Sequence, residues 1–181
     1  TDSGGSKDKS AGCIGIADFK HDKFLIVEDF MLDANTPSRE IVAAARKLET
    51  NAQPDYPDRL SIFADAPPQM LLDWLNQFGY LAQLPLKDDL QAALNALRLG
   101  FQQCKVLIHP RCKSLIGCLK STRWNNLRSD FVRSDAFGHA DPLMALVYAN
   151  RSINRTANPY PAYIPRHDDQ LRNPYITHLD K

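Results

Sequence analysis

The chain has 181 residues, 44% of them hydrophobic, and its 22 basic and 21 acidic side chains leave a formal charge of only +1. That size and apolar content suffice for one domain with a real core. No apolar run approaches the roughly 18 residues of a membrane helix and no signal-peptide pattern opens the chain, so no membrane partner is expected.

In chain order, residues 11–19 and 23–32 are β-rich runs joined by the polar turn Lys20-His21-Asp22, the pattern of a hairpin. Thr36-Pro37 then offers a cap and a proline opening for a helix whose apolar face is Ile41, Val42, Ala45 and Leu48. Residues 59–64 read as a strand. After Pro67, the spacing of Met70, Leu71, Trp74, Leu75 and Phe78 predicts a helix stopped by Gly79. Residues 80–84 are a further candidate strand. Leu90, Ala93, Leu94, Leu97 and Phe101 mark a helix over 87–104, and 106–109 reads as a short buried strand ended by Pro110. The last two helices fall at 112–121 and 141–153. From Asn158 onward, prolines at 159, 161, 165 and 174 without apolar periodicity predict an extended tail. The expected organisation is therefore one domain over 1–157 and a Pro-rich tail over 158–181.

A hairpin followed by alternating helices and strands suits a mixed α/β sheet with helices on both faces. With a strand ending near Asp2, the order becomes three antiparallel strands and then α-β-α-β-α, the layout of the ribonuclease H-like fold. The four cysteines, Cys13, Cys104, Cys112 and Cys118, have no metal-ligand spacing and read as buried thiols of an intracellular protein.

Three acids sit where folding does not demand an acid. Asp2 precedes a glycine turn, Asp65 closes an apolar run, and Asp141 opens a helix. Carboxylates delivered from element ends to one point suit hard divalent cations, Mg²⁺ or Mn²⁺, which prefer oxygen ligands. Without metal, such convergent charges would repel one another. Each acid also has a plain structural reading: Asp141 before Pro142 as an N-cap, Asp65 as the start of a turn before Pro67 and Pro68, Asp2 as an end residue, and Asp8 as a surface acid between Lys7 and Lys9. Asp18 is a rival for the first-strand acid, although the turn behind it argues for a hairpin end. Charge is unevenly spread. Seven basic residues and one acid lie between Lys105 and Arg133, whereas residues 1–65 hold twelve acids and eight bases. Cations in one region and phosphates beside it would produce that pattern, as would an ordinary solvated surface.

The segments Thr-Asp-Ser-Gly-Gly-Ser-Lys-Asp (1–8), Phe-Ala-Asp (63–65), Leu-Lys-Asp-Asp-Leu (86–90), Ile-His-Pro-Arg-Cys (108–112) and Phe-Gly-His-Ala-Asp-Pro-Leu-Met-Ala-Leu-Val-Tyr-Ala (137–149) together resemble the C-terminal nuclease domain of the large terminase subunit of tailed bacteriophages. The resemblance runs from residue 1 to about Pro161. It implies an endonuclease that cuts concatemeric double-stranded viral DNA during packaging, using two Mg²⁺ or Mn²⁺ ions. Residue by residue, it assigns Asp2, Asp65 and Asp141 as catalytic metal ligands, with Asp8 as a further ligand. Lys120, Arg123, Arg128 and Arg133 would hold the DNA backbone, and His139 would orient a ligand or touch a phosphate. Trp124 is a candidate for stacking or for plugging the core edge. No Gly-x-x-x-x-Gly-Lys-Ser/Thr loop occurs, so the resemblance implies the nuclease part of a larger protein. An N-terminal ATPase domain, a portal and a small terminase subunit would be its partners in the host cytoplasm. Two other classes compete: a resolvase- or transposase-type nuclease of the same fold, and a non-catalytic docking module whose acids are caps and turns.

Overall fold

The computed structural model describes residues 9–52, 60–126 and 131–155. Asp2, Asp8, Arg128 and the tail beyond 155 lie outside these residues, and so does the strand expected before the hairpin. Strands β1 (Ser10–Asp18) and β2 (Lys23–Leu32) form the hairpin, pairing antiparallel from Ser10 with Leu32 to Asp18 with Lys23. The register slips once. Ile14 faces Glu28 but Gly15 faces Ile26, so Val27 is an extra residue that bends β2. In the turn, Asp18 accepts the His21 backbone N–H at 3.1 Å and lies 2.6 Å from the His21 ring. Asp18 is thus a hairpin-turn residue.

Strand β3 (Val106–Ile108) pairs parallel with β2, giving a mixed sheet in the order β1-β2-β3. Parallel neighbours require a crossover, and the helices between β2 and β3 supply it. These are α1 (Ser38–Ala52), α2 (Pro68–Phe78) and α3 (Leu90–Gln102); α4 (Lys113–Ser121) and α5 (Asp141–Arg151) follow β3. Gly79 ends α2 as expected, in the left-handed region at φ 61°, where its N–H reaches the Leu75 carbonyl. Asp89 caps α3 by accepting the Ala92 N–H at 2.9 Å.

Burial divides the helices into two groups. Phe24 and Ile26 of β2 face a core made with Leu97 of α3, Leu115 and Cys118 of α4, and Leu143, Leu146 and Val147 of α5. Ile26, Leu115 and Leu146 are fully buried, each worth roughly 1.5–3 kcal/mol. A second cluster joins Val42 of α1 to Trp74 of α2 and to Tyr80. The cysteines divide as well: Cys112 and Cys118 are buried, but Cys13 is half-buried and Cys104 is exposed.

The strands expected at 59–64 and 80–84 are a correction. Among the described residues these runs meet only in an isolated parallel bridge between Phe63 and Gln83, closed by Ala64 N–H to the Gln83 carbonyl at 2.9 Å and Gln83 N–H to Ile62 at 2.8 Å. Pro67, Pro68 and Pro85 stop both runs, since proline cannot donate to a ladder. Leu81 and Leu84 remain more than half exposed.

Candidate functional site

Helix α5 organises the candidate site. It begins at Asp141, and the cap position before it is Ala140, held left-handed at φ 62° with no side-chain bond to the helix. Asp141 is therefore the first helical residue and not the N-cap expected from Pro142. Its carboxylate turns back to the sheet instead, where Oδ2 accepts the Lys9 backbone N–H at 2.7 Å, at the threshold of β1. The Lys9 side chain is itself tied to Asp33, just after β2, at 2.8 Å. Gly138 makes the turn possible. Its φ is +57°, and a Cβ there would lie 2.2 Å from Asp141 Oδ2, closer than any real contact.

Asp65 follows the Phe63 bridge, and Pro67 ends its segment. The Tyr148 hydroxyl of α5 donates to Asp65 Oδ2 at 2.9 Å, and the Lys87 ammonium pairs with Oδ1. Burial, and then the Asp65 carboxylate beside it, push the Tyr148 hydroxyl well above the ordinary tyrosine range. The same helix thus touches both assigned acids. Asp141 and Tyr148 are seven residues apart, two turns on one face, or about 10 Å along the axis.

The donor chemistry suits a hard cation, because both acids present carboxylate oxygens. Geometry adds a limit: among the described residues no group of three or more His, Cys, Asp or Glu side chains could hold a metal ion. Asp65 meets α5 through Tyr148, two turns along the helix from Asp141. The remaining assigned ligands, Asp2 and Asp8, lie outside the described residues.

Of the basic residues, Lys120 stands exposed on the last turn of α4. Arg123 and Arg133, also exposed, are drawn together because Trp124 bridges antiparallel to Phe131 and the Val132 N–H bonds the Arg123 carbonyl at 2.9 Å. Trp124 stacks on Phe131 with ring centroids 4.5 Å apart, so it closes the core edge on that face. His139 Nε2 donates to the Phe131 carbonyl at 2.9 Å, a bond that links this pair to the turn before Asp141.

Sequence reading missed four participants. Lys9 acts through its backbone, which no side-chain pattern signals. Tyr148 was findable, being two helical turns from Asp141, and Lys87 lay within the 86–90 segment. The fourth is Asp29, a half-buried acid inside apolar β2 that accepts the Leu115 N–H at 2.7 Å at the start of α4. Burial raises its carboxyl above the ordinary range, against the opposing pull of the Leu115 and Ser114 N–H groups. Burial and Asp29 also push the neighbouring Cys112 thiol up to about 11, which makes it unreactive at neutral pH.

Among the described residues, the three-stranded mixed sheet and its five helices form an α/β fold consistent with the ribonuclease H-like layout expected from the sequence. Among solved structures the fold is similar to that of the large terminase of a thermophilic bacteriophage. The TM-score is 0.61 at 14% identity in one crystal form, 0.60 at 14% in a complex with ATP-gamma-S, and 0.59 at 13% in another form. The matches cover 80% of this chain and 36–37% of the terminase chains, so this chain spans about a third of their length. At that identity the likeness is one of fold. No protein-family profile and no curated protein matches the chain.

Proposed function

We propose that this chain is the nuclease part of a viral DNA-packaging terminase large subunit, a metal-dependent endonuclease acting on double-stranded DNA. The observation that carries the reading is that α5, in a terminase-like fold, ties Asp141 to β1 and, through Tyr148, reaches Asp65. In this reading Asp2, Asp8, Asp65 and Asp141 hold two Mg²⁺ or Mn²⁺ ions. Such a pair supplies an activated water and neutralises the leaving oxygen of a phosphodiester. The chain's own side chains do the rest. Tyr148 fixes the orientation of the Asp65 carboxylate, Lys9 and Gly138 fix that of Asp141, and Lys120, Arg123, Arg128 and Arg133 hold the phosphate backbone with little sequence preference. In the longer protein an N-terminal ATPase domain, a portal and a small subunit are the partners, in the host cytoplasm.

Incubating the protein with supercoiled plasmid tests this directly. Nicked and linear products should form with Mg²⁺ or Mn²⁺ and disappear in EDTA. Cleavage that survives complete chelation would overturn the metal assignment, and no cleavage with either ion would favour a docking module.

A further inference from the structure

A polar groove of about 540 Å³ lies between α3 and the segment after α4, lined by Gln91, Asn95, Arg98, Trp124, Asn125 and Asn126. Gln91, Asn95 and Arg98 fall at i, i+4 and i+7, which places them on one exposed face of α3. Among the described residues the lining offers four carboxamides and a guanidinium but no carboxylate, in a chain whose acids nearly equal its bases. Lys120 and Arg123, just before the groove's far wall, add positive charge. Carboxamides and guanidinium groups are donors for phosphate and sugar oxygens, and a carboxylate-free wall carries no repulsion against them.

Two kinds of nucleic acid suit such donors, and the aromatic content of the lining separates them. A single strand is gripped by stacking its bases on open aromatic faces. Here Trp124 is the one aromatic among the six lining residues, half-buried with Phe131 stacked on one face at 4.5 Å, so the groove has no series of open rings for successive bases. We propose that this groove is a contact surface for the sugar-phosphate backbone of duplex DNA, read without base stacking. The inference rests on the nuclease reading above, and it adds Gln91, Asn95 and Arg98 to the basic residues already assigned. Contacts link the groove to the candidate site: Trp124 stacks on Phe131, the Phe131 carbonyl receives His139, and His139 is two residues from Asp141.

The test is fluorescence anisotropy of the protein with labelled duplex and single-stranded DNA, in EDTA and across a salt series. Arg98→Ala should weaken duplex binding about tenfold and reduce the slope of log K against log salt by roughly 0.9. Asn95→Ala should weaken it less and leave the slope unchanged, because no charge is lost. Arg39→Ala, an exposed arginine on α1, is the control and should change neither quantity. Circular dichroism of each variant confirms that the exposed substitutions leave the helices intact. If the parent protein binds duplex DNA and Arg98→Ala binds with the same affinity and slope, the groove assignment alone is overturned. Tighter binding to single strands than to duplex also overturns it, in favour of a stacking site. A parent that neither binds nor cuts DNA overturns the nuclease reading together with the groove.

Discussion

At Gly138 two costs coincide for any side chain. The left-handed backbone, φ +57°, disfavours an L-residue by roughly 1–2 kcal/mol, and the added Cβ would meet Asp141 Oδ2 at 2.2 Å. Relief of that collision breaks the bond to the Lys9 N–H, and a hydrogen bond to a charged group is worth about 1.5–3 kcal/mol. Gly138→Ala should therefore destabilise the protein by about 3 kcal/mol in urea denaturation, a sum of order-of-magnitude terms. In an Asp141→Ala background the collision with Oδ2 and the bond it breaks are gone, so the same substitution should cost less, roughly 1–2 kcal/mol for the backbone, with the Cβ still 3.0 Å from the Lys9 backbone N. Equal costs in the two backgrounds would show that Gly138 does not position Asp141. Tyr148→Phe is a milder probe, since it keeps the ring and removes only the donor to Asp65, a loss of about 1 kcal/mol. Its pH signature has a definite sign. Folding raises the Tyr148 hydroxyl above its ordinary value of 10.0. The stability this contributes is complete below that value and is lost as pH rises through the higher folded value. Alkaline denaturation should accordingly be shallower in Tyr148→Phe than in the parent. Tyr80, raised by burial and by Glu49, titrates in both proteins and supplies the common background.

The hairpin and all five helices were legible in the sequence because their apolar residues repeat at 2 or 3.6 and some ends carry turn chemistry, Asp22 before β2 and Gly79 after α2, whereas the Asp89 cap moves the start of α3 from the expected 87 to Leu90. The runs at 59–64 and 80–84 have the same composition as strands, yet prolines end both and among the described residues they pair only with each other. Composition gives no information about which partner a short apolar run reaches, and that is where the reading failed. The link between β2 and α4 was equally invisible, because Asp29 interrupts an apolar strand to anchor a helix far along the chain. That anchor predicts an unusual pH effect. Burial raises the folded-state carboxyl of Asp29, so its contribution is complete below the ordinary value of 3.8 and is lost as pH rises through the raised value. At neutral pH the ionised group weighs against folding. Asn at this position keeps an acceptor for the Leu115 N–H and carries no charge. Asp29→Asn should therefore melt at a higher temperature than the parent at pH 7.5, with the gain vanishing near pH 4. A lower melting temperature at pH 7.5 would mean instead that the attraction between the ionised carboxylate and the N-terminus of α4 outweighs its burial.

Among the described residues, Asp65 and Lys9 come from distant parts of the chain and both meet α5, at Tyr148 and at Asp141. The acids at 65 and 141 could be named from the sequence because each sits at an element end. Their surroundings could not, because Lys9, Lys87 and Tyr148 reach them only through the tertiary fold. Those surroundings change what substitution of Asp65 should do. Taken from sequence, Asp65 faces other acids, and removal of its charge would stabilise the metal-free protein. In the fold its described neighbours are the Lys87 ammonium and the Tyr148 hydroxyl, which favour an oxygen acceptor at this position. Asp65→Asn retains an acceptor for Tyr148 and gives up a partly exposed ion pair, typically worth about 0–1 kcal/mol. The variant should thus fold as the parent does, with a metal-free stability unchanged or lower by no more than about 1 kcal/mol. Plasmid cleavage should fall to background, because a neutral amide is a poor ligand for a hard divalent cation. Mg²⁺ should raise the melting temperature of the parent more than that of the variant, since an ion stabilises only the state that binds it. Parent-level cleavage by Asp65→Asn would remove Asp65 from the catalytic set. A loss of several kcal/mol in metal-free stability would make it a structural residue whose partners are Lys87 and Tyr148 alone.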